Sequence, residues 1–314
     1  MSTYSNANVE IHTVDMGSAV VLSGVTNMSS LLNTSLVSPQ TGAVYDSIQS
    51  IQSQSPEIPF TTEELAKALD VVSLLTGKCI TSDGTHDGVN VYAQKHDPCA
   101  PLARSAGSTH MKLTVADGHI MPDAISAQGQ ANAEFGFRVH GASTDGTTEP
   151  VVTTYTAALP TETTREHFVL GTAYIDGTEV TRITGININY NPSITKPQYG
   201  ATIWPKFVDL QKVSAVITIS TDDPTWLDAG KVPLTGKQCQ HVNSSIEFIK
   251  RLAGSSFYSR ASTEHIIGTF EGIAHVSQPF AASGESSGTT EITIATTYDG
   301  TNEPIAWTTG TALP

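Results

Sequence analysis

One stretch of the chain has the residue pattern of a serine hydrolase. Gly284-Glu285-Ser286-Ser287-Gly288 matches Gly-x-Ser-x-Gly, in which the central serine attacks an acyl carbonyl. That serine has to lie on a turn between a strand and a following helix. Here a strand-like run, residues 289–294, follows instead, and the surrounding residues are mostly serine and glycine. We therefore interpret the stretch as a loop and assign no catalytic role to Ser286.

Two histidine–aspartate pairs could hold a metal ion. They are His86-Asp87 and His96-Asp97, which lie ten residues apart in one turn-rich region. Imidazole and carboxylate groups are common zinc ligands, but histidines beside an aspartate in a loop are more often solvated. The three cysteines, Cys79, Cys99 and Cys239, supply neither a zinc spacing nor a disulfide framework. We therefore predict no metal site and no bound cofactor.

Two pairs of acids recur in the same setting. Asp145 and Glu149 have identical counterparts in Asp299 and Glu303. Two carboxylates four residues apart could act as a general acid and base. However, each aspartate precedes a glycine, which is typical of a turn, and each glutamate precedes a proline, which favours an extended backbone. With no nucleophile nearby, we predict structural roles for these acids and a chain that is not an enzyme.

The charge of the chain excludes further classes of protein. Its 314 residues carry 16 Lys and Arg against 30 Asp and Glu, a formal net charge of −14, and both halves are acidic. Proteins that bind nucleic-acid phosphates need clustered Lys and Arg instead. No apolar run approaches the ~20 residues of a membrane-spanning helix, and the first residues lack a signal-peptide pattern. Much of the polarity comes from 31 Ser and 42 Thr, and threonine favours β-strands.

An internal repeat is the most informative pattern in the sequence. Residues 141–160 and 295–314 are identical at nine of twenty positions. Weaker matches continue upstream in the same order, among them Leu22-Ser23-Gly24-Val25 with Ile183-Thr184-Gly185-Ile186. Convergence of two Asp-Gly turns could explain one matching block, but not a colinear series. We predict two tandem copies of one domain, residues 1–160 and 161–314, with a connector at about 161–167.

Alternation of apolar and polar residues predicts a mainly β fold. The clearest strands are predicted at 181–190, 215–220, 135–139 and 291–294, the first with a bulge near Gly185. The Ala-Leu-Pro sequences at 158–160 and 312–314 are predicted to be the end of the last strand of each copy.

One helix per copy is predicted beside these strands. Residues 61–75 have apolar residues on one face, a Thr61–Glu64 capping box and Gly77 as a stop. Ser220-Thr221-Asp222-Asp223-Pro224 predicts a second, short helix start at the matching place, and residues 244–252 are a further helix candidate.

Together these features resemble the tail tube proteins of long-tailed, non-contractile bacteriophages. The resemblance lies in the aromatic Val44-Tyr45, the Ser/Gln-rich residues 47–55, the extended residues 56–60, the capped helix after them and the closing Asp-Gly turn between strands. Such proteins form hexameric rings around a channel for double-stranded DNA, and each subunit is a β-sandwich or barrel with a flanking helix. The resemblance therefore implies that a chain with two copies fills two ring positions, and that three chains make a pseudo-hexameric ring.

The resemblance also implies partners and a location. The rings would stack into a tube, contact other tail proteins at its ends, hold a tape-measure protein and let DNA pass without specific binding. The protein would belong to the virion tail, assembled in the cytoplasm of a bacterial host, with no membrane contact. Acidic walls would repel phosphates.

Turn-rich stretches are predicted to form the contacts between subunits or rings. They are residues 33–39, 81–104 and 191–199, and the individual candidates are Asn33, Pro39, Asp83, Asp87, Asp97, Asn191 and Pro192.

Two other classes of function stay open. One is a different virion component with duplicated β domains, such as a tail-end ring, a decoration protein or a glycan-binding adhesin. An adhesin would use exposed aromatic residues such as Trp204, Trp226 and Trp307 to stack sugars. The other class is a β-rich hydrolase, which would need clustered ionisable groups.

Overall fold

The described strands of the protein pair with one another in antiparallel fashion. The computed structural model describes residues 3–12, 16, 18–37, 50–71, 77–81, 88–96, 109–162, 164–200, 202–223, 240–252, 256–281, 288–298, 300–301 and 303–314. Within them lie one helix, α1 (Leu65–Val71), and 22 strands: β1 (Thr3–His12), β2 (Val20–Leu22), β3 (Val25–Met28), β4 (Ser35–Val37), β5 (Ser50–Ser53), β6 (Glu57–Thr62), β7 (Lys78–Thr81), β8 (Gly88–His96), β9 (His110–Val115), β10 (Asp117–Gln128), β11 (Glu134–Gly141), β12 (Val152–Ala157), β13 (Phe168–Ile175), β14 (Thr178–Val180), β15 (Ile183–Asn189), β16 (Ser193–Thr195), β17 (Asp209–Lys212), β18 (Val216–Thr221), β19 (Gln240–Lys250), β20 (His265–Ala281), β21 (Thr289–Thr296) and β22 (Ile305–Thr311). The predicted mainly β class is confirmed.

The first half of the chain forms two layers of sheet. One layer has the strand order β12-β9-β8-β1-β2, and the other contains the run β3-β6-β11-β10. β9 and β10 are separated by one residue, Ala116, and contribute one strand to each layer. Buried side chains of both layers, such as Val91 and Phe137, belong to one hydrophobic core. The paired layers therefore bury the apolar face of each.

The strand pairings of the first half recur in the second half. β1 pairs with β2 and β8 as β13 pairs with β14 and β19, and β9 joins β8 to β12 as β20 joins β19 to β22. The run β3-β6-β11-β10 has its counterpart in β15-β18-β21-β20. β20 is long enough to serve in both runs of the second half.

Local backbone features recur as well. The register shifts at Val25/Asn27 and Pro122/Ala124 have counterparts at Ile183/Gly185 and Val276/Gln278. The second pair of shifts includes the bulge predicted near Gly185, which is confirmed. These shifts correct one sequence match, because they make Val25 rather than Leu22 the counterpart of Ile183. The arrangement as two tandem copies of one domain stays a prediction. The recurring strand pairings and register shifts are the structural features relevant to it.

The helix predicted in the first half is present at the predicted location, but the residue that caps its N-terminus differs from the predicted one. α1 begins at Leu65, whereas Thr61 lies in β6, and residues 72–76 lie outside the described residues. The hydroxyl of Thr62, rather than that of Thr61, accepts a hydrogen bond from the N–H of Glu64 (3.2 Å). The carboxylate of Glu64 does not reach back to the cap residue, because it accepts a hydrogen bond from the N–H of Ser23 (2.6 Å).

The helix predicted at 244–252 is wrong, since residues 240–250 form β19. Val242, Ser244, Ile246 and Phe248 are all buried and alternate along the strand. Glu247 is buried too, with its carboxylate bound by the Arg260 guanidinium (2.8 Å). β19 lies between β13 and β20, so packing on both sides overrides local preference.

The remaining predictions on secondary structure have mixed outcomes. The four clearest strands are confirmed as β15, β18, β11 and β21. The two Ala-Leu-Pro sequences are not the end of a strand, because β12 ends at Ala157 and β22 at Thr311, directly before them. The short helix predicted to start at 220–224 falls partly in β18, and residues 224–239 lie outside the described residues.

Replacing Glu64 tests the interaction that fixes α1 to the sheet. Its side chain is fully buried and also accepts from the Lys67 ammonium (2.9 Å). We expect Glu64→Ala to lower the free energy of unfolding by about 2–3 kcal/mol, because a buried acceptor for two donors is lost. Urea unfolding measures the change. Glu162→Ala, which breaks an exposed pair with Arg165, is the control and should cost less than about 0.5 kcal/mol. An equal loss in both variants would contradict the assignment.

Candidate functional site

The two halves share one sheet through the pairing of β10 with β15. Residues 124–128 lie opposite residues 189–185, and the bonds from Gly129 N–H to Thr184 O (2.9 Å) and from Tyr190 N–H to Asp123 O (3.0 Å) extend the ladder. The Tyr190 ring also stacks on that of Phe135, with centroids 6.2 Å apart. Eight strands thereby form one continuous run, β3-β6-β11-β10-β15-β18-β21-β20.

One face of this eight-stranded run is apolar across both halves. A single register row passes from strand to strand, and all of its members are 0% exposed: Thr62, Phe135, Ile125, Ile188, Ile217, Ile294 and Ala274. This row crosses the β10–β15 joint without interruption. The joint is therefore part of the core and not a loose contact between two units.

The opposite face of the run is polar, and two of its register rows are nearly uncharged, whereas Arg138, Glu57 and Glu291 lie on this face outside those rows. The next register row contains Glu134, Ser126, Asn187, Thr218, Thr293 and His275, all partly or fully exposed. The register row on the other side of the buried row contains Thr61, Gly136, Ala124, Asn189, Val216, Ala295 and Ile273. Neither row contains Lys or Arg. We call these two rows the polar face. Sequence reasoning found its strands but missed the face, although the alternation of Asn187 and Asn189 with isoleucine signals it.

Each half carries a two-stranded hairpin beside the sheet. We call β4–β5 the first arm and β16–β17 the second arm. Leu36 lies opposite Ile51 in the first arm and Ile194 opposite Leu210 in the second, and each pair follows a register shift. The sequence candidates Asn33 and Asn191 lie at the bases of the arms. Both have positive φ (45° and 43°), and their side-chain amides donate to the carbonyls of Ser55 (3.2 Å) and Ser214 (3.3 Å).

The second arm lies on the first half of the chain. The N–H of Gln54 donates to Ile203 O (2.7 Å), and the Trp204 indole N–H donates to the Gln54 side chain (3.2 Å). The N–H of Ser143 donates to Pro205 O (2.8 Å). Main-chain hydrogen bonds therefore hold the segment between β16 and β17 against the first half.

A cluster of charged groups lies under the second arm. Glu57 contacts Arg138 (2.7 Å), Lys196 of the second arm (3.6 Å) and the Nδ1 atom of His140 (3.6 Å). His140 is 1% exposed, and neither ring nitrogen has a hydrogen-bond partner. Burial lowers the pKa of His140 to about 3, and the charges of Lys196, Arg138 and His119 act in the same direction. His140 is therefore a neutral imidazole at physiological pH.

The other sequence candidates have separate locations. Pro192 follows Asn191 and is half-buried, whereas Pro39, Asp83, Asp87 and Asp97 lie outside the described residues. His86, Ser286, Asp299 and Trp226 lie outside them too, and His96 ends β8. Glu149 and Glu303 are exposed. Trp204 and Trp307 are half-buried, Trp204 in the wall of a groove beside Gln54 and Trp307 against Phe248.

Asp145 has the structural role that its sequence setting predicts. Its carboxylate accepts hydrogen bonds from the N–H groups of Thr147 and Thr148 (both 2.8 Å) and from the Thr148 hydroxyl (2.6 Å). These bonds hold the pKa of Asp145 well below its ordinary value. The acid thus closes a turn around Gly146, whose φ is +74°.

No known protein family and no curated protein sequence matches the chain. Within the described part of the chain, no group of three or more His, Cys, Asp and Glu side chains is placed to hold a metal ion. No described helix is both long enough and apolar enough to cross a membrane.

The burial of neutral His140 predicts a loss of stability in mild acid. The imidazole has a pKa of about 3 in the folded protein and about 6.5 when unfolded, so the unfolded state binds more protons between these values. Stability falls as pH drops through this window, by about 2 kcal/mol for this group between pH 7 and pH 5. We expect His140→Gln to remove that part of the difference, measured by urea unfolding at both pH values. His275→Gln, on the polar face, is the control, and an unchanged pH difference in His140→Gln would contradict the interpretation.

Proposed function

We propose that the chain is a structural, self-assembling protein of the phage tail tube kind, whose copies join edge to edge into rings that stack into a channel for double-stranded DNA. The observation that carries this proposal is the β10–β15 pairing. It shows how the far edge of one four-stranded run binds the near edge of the next, and the recurrence of strand pairings supports two copies of one domain in the chain.

The same pairing can repeat between chains. Among the described residues, β3 pairs only with β6, and the last residues of β20 pair only with β21, so the run has an open edge at each end. β3 is the counterpart of β15, and the end of β20 is the counterpart of the end of β10. If β20 of one chain paired with β3 of a neighbouring chain in the register that β10 and β15 have, residues 278–281 of the first chain would lie opposite residues 31–28 of the second. Edge strands left open in this way are templates for pairing with another chain.

The stagger of the sheet supports closure into a ring. The register row that starts at Thr62 on β6 arrives, four strands later, at Ile217 on β18. The counterpart of Ile217 in the first half is Ile58, which precedes Thr62 by four residues, so the row shifts by four residues from one half to the next. A shift of four residues over four strands gives a strand tilt of roughly 35°, the value typical of closed barrels. Three chains would supply three sets of eight strands and a barrel about 45 Å across. Such a barrel is wider than a DNA duplex.

The polar face has suitable chemistry for the inside of that barrel. Its two rows carry hydroxyl, amide and small apolar side chains with one acid, Glu134, and no Lys or Arg. Arg138, further along β11, is already bound by Glu57 and Asp123. DNA could therefore move along the wall without the counterion release that drives binding.

Blocking the open edge of β3 tests edge-to-edge assembly. The N–H groups of Ser29 and Leu31 donate to Pro59 and Glu57, so the N–H of Ser30 between them points away from β6. We expect Ser30→Pro to prevent ring formation while leaving the fold intact, because proline removes only an outward donor. Electron microscopy of the purified protein gives the readout, and Ser30→Ala, which keeps the N–H, is the control.

The wild-type protein should form rings or tubes of regular diameter with masses in multiples of three chains. A wild-type protein that stays monomeric at high concentration would overturn the proposed function. Rings formed equally well by Ser30→Pro would overturn the edge assignment.

Adding positive charge tests the role of the polar face. Thr218 and Thr293 are register neighbours on it. We expect assembled Thr218→Lys/Thr293→Lys protein to retain duplex DNA at least tenfold more than wild type at about 50 mM salt and to release it by about 200 mM. A filter-retention assay measures this, with Thr218→Asn/Thr293→Asn as the control. Equal retention by the Lys and Asn variants would show that this face does not contact DNA.

A further inference from the structure

The two arms have the same backbone pairing but different surroundings. In the first arm the apolar pair is exposed, with Leu36 at 60% and Ile51 at 45%, and Leu32 at its base is 51% exposed. In the second arm the matching pair, Ile194 and Leu210, is half-buried. Exposed apolar residues grouped on one hairpin indicate a surface that another protein covers. The second arm shows which surface, because it lies on the first half of its own chain.

The matching surface on the second half can be located by equivalent hydrogen bonds. The bond from Ser214 N–H to Tyr190 O (3.2 Å) matches that from Ser55 N–H to Leu32 O (2.9 Å), so Val213 is the counterpart of Gln54. The bond from Thr297 N–H to Glu271 O (3.0 Å) matches that from Ala142 N–H to Asp117 O (2.9 Å). In the register of this bond Tyr298 is the counterpart of Ser143, one residue beyond the sequence alignment of the repeat, which pairs Ser143 with Thr297.

This counterpart surface is open in the described chain. Tyr298 is 66% exposed, and beside it runs a groove lined by Phe270, Glu271, Thr297, Glu303 and Ala306. No described segment lies on it as residues 203–205 lie on Gln54 and Ser143. The residues also differ in character: Gln54, which binds Trp204, is replaced by Val213, and Ser143 is replaced by Tyr298. These two positions offer apolar contacts to the leucine and isoleucine of the first arm, beside a groove that carries Glu271 and Glu303.

The first arm cannot reach this surface within its own chain. It is attached to β3, at one end of the eight-stranded run, whereas Tyr298 follows β21, next to the last strand at the other end. Strands lie about 4.8 Å apart, so roughly 30 Å of sheet separates the two positions. The occupant must then be the first arm of a second copy.

We propose that the first arm of one copy lies on the Val213–Tyr298 surface of a second copy and buries Leu36 and Ile51 there. This inference rests on the proposed edge-to-edge assembly and names the side chains that select the neighbour. The contact is heterologous, because the arm and its receiving surface are different patches. Each chain therefore both offers an arm and receives one.

Two single variants and their mixture test the contact. Leu36→Asp damages the arm, and Tyr298→Asp damages the receiving surface. In sedimentation velocity each variant alone should need at least a tenfold higher concentration for assembly than wild type. Asn187→Asp, which adds the same charge at an exposed position on β15 in the middle of the run, is the control and should assemble like wild type. Thermal unfolding checks that all variants are folded, and Ile51→Asp replaces Leu36→Asp if that variant is not.

The equimolar mixture gives the sharper result. The Tyr298→Asp chain keeps an intact arm, and the Leu36→Asp chain keeps an intact receiving surface, so one contact can form. We expect dimers and nothing larger. The inference would be overturned if the wild-type protein assembled and both single variants assembled equally well. It would also be overturned if the mixture stayed monomeric. Either result would leave the proposed function in place. Failure of the wild-type chain to assemble would overturn both.

Discussion

The hydrogen bonds between β10 and β15 are the interaction on which the rest of the structure depends. They carry the buried register row from Phe135 and Ile125 to Ile188 and on through the second half. Because side chains alternate along a strand, a slip of one residue at this joint would turn Ile188 outward and Asn187 into the core. The joint therefore sets which residues form the polar face, and it fixes the position from which the second arm reaches the first half.

The two halves share their backbone pairing but differ at the positions that hold the second arm in the first half. Gln54 and Glu57 of the first half bind the second arm through polar and charged contacts, whereas Val213 and Val216 hold the matching positions. An interface made within one chain need not be selective, since the connector already keeps its partners close. An interface between chains has to select its partner through its own side chains. Under the proposed contact, this difference between interfaces within a chain and between chains explains why equivalent positions of the two halves carry different residues.

The sequence predicted those elements whose side chains reveal their environment. Alternation as regular as that of β15, β18 and β21 identified them as strands with one buried face. β19 was mistaken for a helix because its buried positions include Ser244 and Glu247, whose polar side chains hide the alternation. The β10–β15 joint could not be predicted, because backbone hydrogen bonds leave no mark on residue type. The contact of Glu57 with Lys196 joins residues far apart in the chain and required the fold itself.

The 17-residue β20 gives the second half a mechanical property that the first half lacks. In the first half the corresponding path is divided at Ala116, where the chain passes from one layer to the other between β9 and β10. In the second half a single strand belongs to both layers, hydrogen-bonded to β19 and β22 along one part and to β21 along the other. We therefore expect a load on one part of the second half to pass to the other along one hydrogen-bonded strand, whereas in the first half it would pass through Ala116, which belongs to neither strand.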